Sequence, residues 1–319
     1  MDLINLPTKN WMSKLPDNIK LNEIVIPGCH DAGMGLSKLR NCSIGANDDN
    51  TKTQNLDILA QLYAGARYFD IRVDFDNNEL VTFHRTGVFG CNGQTLKSVL
   101  QQMTSFLEDY KSETAILKIS HIRSNNKATK LKISDLLLSY QFKDMLFKGE
   151  NNNLAYSTLS ELKGKIVTVL DYDEDIEPSL GLFRFHDGFV KGKCEFRGLN
   201  LTVGDSYSNT AFYEKMKDDQ IEKWNRYSGL NQEYLFLLSW TLTAGVGANG
   251  SIKSLAQTAN EHLANVLAEQ DKAGIAKPNI VYVDYYDEKI GKTIISQNTS
   301  LNFNMTTTEG PSNSNDSPL

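Results

Sequence analysis

The chain has 319 residues, 40% of them hydrophobic and 23% charged, with a formal net charge of −6. These proportions exclude fibrous, collagen-like and wholly disordered classes and leave room for one large buried core or two small ones. The acidic balance argues against a general nucleic-acid binder, which needs an excess of Lys and Arg to neutralise phosphates.

The N-terminal stretch MDLINLPTKNWMSKLPDN lacks the apolar centre of a signal peptide. No run of 18 apolar residues occurs downstream. The expectation is a soluble monomer, either cytoplasmic or exported by a route without a visible signal peptide. Short apolar runs rich in β-branched residues then follow one another. They are 22–28 (NEIVIPG), 66–73 (ARYFDIRV), 80–84 (LVTFH), 113–120 (ETAILKIS), 165–171 (KIVTVLD), 199–203 (LNLTV), 234–240 (YLFLLSW) and 279–286 (NIVYVDYY). Two intervening stretches carry a helical period. One places Leu96, Val99, Leu100, Met103, Phe106 and Leu107 on a single face. The other does the same for Ile252, Leu255, Ala259, Leu263 and Val266, with Ser251 as its N-cap.

Strands alternating with helices predict parallel pairing through right-handed crossovers. Eight strands in one domain fit an irregular (β/α) barrel of the TIM type, with an open doubly wound sheet as the alternative. The irregularity falls at DFDNNE, between Val73 and Leu80, which is a turn and not a helix. The barrel domain is expected over 1–297, followed by a flexible Asn/Ser/Thr-rich tail over 298–319 with three matches to the glycosylation pattern. The cysteines Cys29, Cys42, Cys91 and Cys194 form no CxxC pair. One or two disulfides and four free thiols are both open, and Cys42 to Cys91 is the single bridge expected.

Catalytic groups of such barrels sit at the C-terminal ends of strands. There the chain places His30 and Asp31, then Asp70 and Arg72, His84 and Arg85, Asp171, Asp205 and Asp284. Two imidazoles can give and take protons near neutral pH. A guanidinium between them binds phosphate through its planar fork. A carboxylate behind one imidazole fixes its tautomer. That set suits in-line phosphoryl transfer without a metal. His121, His186 and His262 read more simply as structural residues, Trp240 as core, and DYDEDIE (171–177) as a solvated acidic loop. Trp11 and Trp224 could be either core residues or bilayer anchors.

IPGCHDAG, then TQNLDILAQLYAGARYFDIRV, FHRTG and SETAILKIS, and further on GDSYS, LSWTLT and VYVDYY, together resemble the X domain of phosphatidylinositol-specific phospholipase C. The likeness is to the bacterial single-domain form and runs from Asn10 to about Gln297. The resemblance implies a distorted barrel that cleaves phosphatidylinositol at a membrane surface, through transient peripheral contact. The products would be diacylglycerol and inositol 1,2-cyclic phosphate, formed by attack of the inositol 2-hydroxyl. It makes His30 the general base and His84 the general acid. Arg72 stabilises the phosphate, Asp284 pairs with His30, Asp31 assists leaving-group protonation, and Asp70 completes the set. Asp205 and Tyr207 would hold inositol, with Lys118 and Arg85 as further substrate-binding residues. Because Arg72 stands where calcium-dependent relatives carry an acidic ligand, no metal or other cofactor is expected. Glycosylated inositol lipids are further candidate substrates. The remaining alternatives are an inositol-lipid-binding module with weak catalysis and a metal-dependent glycerophosphodiesterase-like enzyme.

Overall fold

A computed structural model describes residues 7–123, 126–229, 232–244 and 251–299. Twelve strands form among them: β1 (Ile26–Cys29), β2 (Tyr68–Asp76), β3 (Glu79–Thr86), β4 (Phe89–Thr95), β5 (Ala115–Ser120), β6 (Ile166–Leu170), β7 (Leu182–Asp187), β8 (Phe189–Val190), β9 (Lys193–Cys194), β10 (Leu201–Asp205), β11 (Leu235–Trp240) and β12 (Ile280–Val283). Eight of them close a parallel barrel in the order β1-β2-β5-β6-β7-β10-β11-β12, with β12 returning to β1. Each strand therefore lies beside its neighbour in the chain, as right-handed crossovers require.

The expected number of barrel strands is met, but with one change of membership. The run at 80–84 belongs to β3, which pairs antiparallel with the upper part of β2 and lies outside the barrel. A parallel crossover needs a dozen or more residues; here the chain reverses at Asn77 and Asn78, both at positive φ (48° and 65°). Asn tolerates that region and so makes a tight hairpin. The vacant place is taken by β7, whose Phe183 and Phe185 point inward and alternate with Arg184 and His186. Helices do not alternate strictly either. A 3₁₀ turn at Pro178–Leu180 joins β6 to β7, and the β8–β9 hairpin lies between β7 and β10.

The remaining crossovers carry α1 (Asp48–Thr51), α2 (Ile58–Tyr63), α3 (Leu96–Asp109), α4 (Lys127–Leu137), α5 (Leu159–Leu162), α6 (Tyr213–Tyr227) and α7 (Ile252–Lys272), with α8 (Glu288–Ile295) after β12. All six apolar residues expected on the α3 face are buried, and Ser251 caps α7 by accepting from Ser254 N–H. Outward strand residues such as Phe69, Ile71 and Leu117 pack beneath these helices in one cluster. A second cluster fills the barrel interior.

The lower end of the barrel is plugged. Trp11 and Met12, from the 3₁₀ segment Thr8–Lys14, and Leu15 just after it join Leu154, Leu159 and the inward residues Ile26, Ile116, Val167, Leu201 and Ile280. Trp11 donates to the Gly65 carbonyl at 3.0 Å. A buried ion pair, Arg67 to Glu113 at 2.7 Å, ties the feet of β2 and β5, and Glu113 also accepts from the amides of Met12 and Ser13. Trp11, Trp224 and Trp240 are all buried, so none is available as a bilayer anchor.

The first residue of the expected tail packs against the barrel. Asn298 is buried, donating to Val25 and Ile295 carbonyls and accepting from Val25 N–H, which also withdraws it from glycosylation. Residues 300–319 of the expected tail lie outside the described residues. Cys42 and Cys91 are joined by a disulfide, while Cys29 and Cys194 are free and buried.

Candidate active site

Alternation along parallel strands sends every second side chain into the barrel. At the upper rim those inward positions are polar. They are His30 just past β1, Asp70 and Arg72 on β2, Lys118 and Ser120 on β5, Asp205 on β10, Ser239 on β11, and Tyr282 and Asp284 on and just past β12. Gly28 makes room for this cluster. A Cβ there would lie 2.9 Å from the Tyr282 Cβ, so only glycine lets the β1 backbone come this close to the tyrosine.

His30 Nδ1 lies 2.8 Å from Asp284 Oδ1, and the ring stands edge-on to Tyr282 at 5.4 Å. Arg72 Nη2 approaches His30 Nε2 at 3.4 Å. A guanidinium can only donate, so in the neutral ring Nε2 accepts and Nδ1–H is the atom donated to Asp284. This tautomer leaves the Nε2 lone pair facing the cavity. Burial disfavours the charged imidazole, but Asp31 and Asp284 outweigh it and raise its pKa from the ordinary 6.5 to about 9.

Asp31 is left-handed (φ 41°), a conformation that costs a non-glycine residue roughly 1–2 kcal/mol. The turn brings its carboxylate back over the barrel. Its Oδ1 meets Arg72 Nε at 2.7 Å, and its Oδ2 lies 3.6 Å from His30 Nε2 and 3.8 Å from His84 Nε2. Both oxygens are buried and lack a well-directed hydrogen bond, so they remain able to accept one. Asp31 also holds the Arg72 guanidinium more firmly in its charged form, against the effect of burial.

The fourth side chain arrives from outside the barrel. His84, on β3, directs Nδ1 to the Thr51 carbonyl at 2.8 Å. A carbonyl only accepts, so Nδ1 carries the proton and Nε2 is the nitrogen that faces the cluster.

Deeper in the mouth, Lys118 Nζ lies 3.3 Å from Asp70 and 3.5 Å from Asp205, over the Phe185 ring. Burial alone would lift the Asp70 pKa, but Lys118, His30 and Arg72 hold it below the usual carboxylate range. Burial also opposes the Lys118 charge, and Asp70 and Asp205 more than restore it. Ser120 donates to Asp70 at 3.2 Å, and Tyr282 OH to Asp205 at 3.3 Å.

The structure thus brings together His30, Asp31, Asp70, Arg72, His84, Lys118, Asp205 and Asp284. Tyr207 stands 57% exposed beyond β10, outside the hydrogen-bonded cluster. Arg85 is not at the site. Alternation along β3 turns it to the opposite face from His84, where it donates to the Asn41 and Gly90 carbonyls and to Asn92 Oδ1. His121 is exposed, His186 meets the Leu199 carbonyl and His262 stacks on Tyr213.

Several contributors escape sequence reading. Gln54 donates to the His30 and Val283 carbonyls and accepts from Tyr286 N–H, linking β1 to β12 beside the reactive ring. Thr53 donates to the Asp31 carbonyl. Both lie in a loop without period. Tyr282 has the same inward phase as Asp284, and that signal could have found it.

His30, Asp31 and Asp70 each offer an atom within 4.8 Å of the others, a spacing that could hold a cation. However, Arg72 covers the Asp31 carboxylate and Lys118 the Asp70 carboxylate, so the charge a metal would neutralise is already met from within the chain.

The family pattern described as phosphatidylinositol-specific phospholipase C, X domain, matches residues 39–170. That span holds Asp70, Arg72, His84 and Lys118. A 1-phosphatidylinositol phosphodiesterase of Staphylococcus aureus (strain Newman) is 28% identical over 315 residues, covering 92% of this chain and 96% of its own. The one from Listeria monocytogenes is 28% identical over 216 residues, covering 67% and 62% respectively. A crystal structure of the phosphatidylinositol-specific phospholipase C from S. aureus superposes with a TM-score of 0.69 at 24% identity, over 92% of this chain and 98% of that one.

Proposed function

This chain belongs to the bacterial phosphatidylinositol-specific phospholipase C X-domain family, and from that premise we propose that it is a phosphatidylinositol diacylglycerol-lyase acting without metal. One observation carries the reading. A single Asp31 oxygen faces the Nε2 atoms of two imidazoles, and Arg72 reaches both Asp31 and His30.

His30 Nε2 takes the proton of the inositol 2-hydroxyl as its oxygen bonds to phosphorus, and Asp284 stabilises the imidazolium that results. The Arg72 guanidinium receives the charge gathering on the non-bridging oxygens. The phosphorus–oxygen bond to glycerol breaks, and His84 Nε2, with Asp31 behind it, delivers a proton to the departing oxygen. Inositol 1,2-cyclic phosphate and diacylglycerol leave. Lys118 can donate to ring hydroxyls, while Asp205 accepts from them. Tyr207 closes the ring from the rim by stacking.

The lipid lies in a membrane surface, so the mouth must meet one. Ile44, in the chain before α1, and Val88, in the turn between β3 and β4, are 102% and 80% exposed, and Phe89, which opens β4, is 41% exposed. These supply an apolar contact that needs no spanning segment, and among the described residues no helix is long and apolar enough to cross a membrane.

The carboxylate cluster with His30 favours one rival, a metal-dependent phosphodiesterase. Phosphorus NMR of phosphatidylinositol micelles with the protein and excess EDTA separates the two. Cyclic phosphate should accumulate under chelation, and His30→Ala should lower that rate about 10³-fold. Activity abolished by EDTA and restored by calcium would establish the rival instead.

A further inference from the structure

Of the proton-transfer side chains, His84 alone hangs from an appendage. β3 pairs with β2 only over Val73–Asp76, and its other edge meets β4. That hairpin is held by its pairing with β2, by Thr82, which donates to the Gly33 carbonyl, and by a strap, residues 40–54, that crosses from it to the barrel rim. At the hairpin end, Arg40 exchanges both backbone hydrogen bonds with Asn92, and Ser43 N–H donates to Gly90. Arg85 clamps the same place, donating to Asn41, Gly90 and Asn92. Cys42 of the strap is bonded to Cys91, the residue directly opposite His84 in the β3–β4 register. At the barrel end, Thr51 offers its carbonyl to His84, Thr53 donates to the Asp31 carbonyl, and Tyr285 N–H donates to the Thr53 carbonyl. The strap therefore touches the acid, the carboxylate behind it and the strand end carrying Asp284.

Resting on the reaction assigned above, we propose that the Cys42–Cys91 bridge and Arg85 act as one positioning device for His84, making leaving-group protonation dependent on the oxidised bridge. Cys42 lies in exposed chain, within reach of a soluble reductant. A dithiol would deliver two electrons and two protons: the sulfur–sulfur bond breaks, two thiols form, and the dithiol closes to its own disulfide. The strap then keeps its backbone hydrogen bonds but loses its covalent tie. A displacement of His84 of the order of an ångström is enough to impair proton transfer.

The test uses two substrates. Phosphatidylinositol expels an alkoxide that must be protonated, whereas a nitrophenyl inositol phosphate expels a phenoxide that needs little help. Both are assayed with and without prior treatment with dithiothreitol, with near-ultraviolet circular dichroism reporting that the fold persists. Reduction should lower kcat for the lipid about tenfold with little change in KM, and the nitrophenyl substrate should change less than twofold. Cys42→Ser and Arg85→Gln should show the same skew, and His84→Ala should show it more strongly. Equal slowing of both substrates, or no slowing, overturns the proposal. Nitrogen-15 imidazole spectra give a readout independent of turnover. On reduction the His84 signals should shift or broaden while those of His30 stay, and unchanged His84 signals would overturn the proposal even in a preparation that cleaves neither substrate. Failure of the oxidised protein to turn over would count against the reaction itself.

Discussion

The two imidazoles of the site are held in contrasting ways. His30 extends from a strand paired on both sides within the barrel, with Asp284 just past the adjacent strand and Gln54 bonded across the pair. His84 sits on a hairpin that shares only the upper part of β2 and is fastened by a strap, a disulfide and an arginine. A barrel position is a product of the whole fold, because it cannot shift without breaking ladders on both sides. A hairpin position depends on a few local ties. Damage to the first region should therefore cost stability, and damage to the second should cost chemistry.

The strongest way to break this contrast is to cut a tie at the barrel foot. Glu113→Ala strands the buried Arg67 charge and the amides of Met12 and Ser13, which should cost about 3–5 kcal/mol of unfolding free energy in a urea titration. If the protein lost less than about 1 kcal/mol, the foot would not be a structural keystone.

A smaller effect should appear with pH. The folded-state pKa of His30, about 9, lies above its ordinary 6.5. The stability it contributes is thus fully present below pH 6.5 and is lost as pH rises through about 9. The whole shift corresponds to at most about 3 kcal/mol. Asp284→Asn should flatten that decline and move the ascending limb of kcat/KM to lower pH, as the neutral base becomes easier to populate. A limb that stays in place would show that His30 does not titrate in the rate.

The smallest effect should come from the hairpin tip. Val88→Ser with Phe89→Ser should leave unfolding within about 0.5 kcal/mol of the parent, because both side chains already face solvent. Cleavage of lipid in vesicles should nevertheless fall several-fold, and sedimentation with phosphatidylinositol vesicles should weaken in parallel. Undiminished sedimentation would move the membrane contact elsewhere on the rim.

How far the sequence announces all this follows the same division. Their place at the C-terminal ends of the expected strands makes Asp70, Arg72, Asp205 and Asp284 readable together, since apolar runs and the residues that end them are visible in the letters. β7 was harder, because LFRFHD mixes its inward phenylalanines with charged outward residues and follows an acidic loop. The turn at DFDNNE is recognisable as a turn, yet the apolar run at 80–84 reads like any barrel strand, and only the shortness of the connection makes it fold back along β2. Arg85 beside His84 illustrates the remaining difficulty: neighbours in a strand face opposite ways, so proximity in sequence to a reactive residue is a poor guide to membership of its site. The strap, with Thr51, Thr53 and Gln54, acts mostly through backbone carbonyls, which leave no compositional trace.

The plug beneath the barrel carries one more consequence. With Trp11 and its neighbours sealing the lower end, the barrel is a cup and not a tube, and whatever enters the mouth must leave by it. On the proposed reaction, with that mouth seated on lipid, the greasy product would slip sideways into the bilayer, while the water-loving one would be trapped against the surface until the protein tilts or lifts away. Turnover would then be bounded by how quickly the protein lets go, and a modest apolar rim would serve it better than a strong anchor.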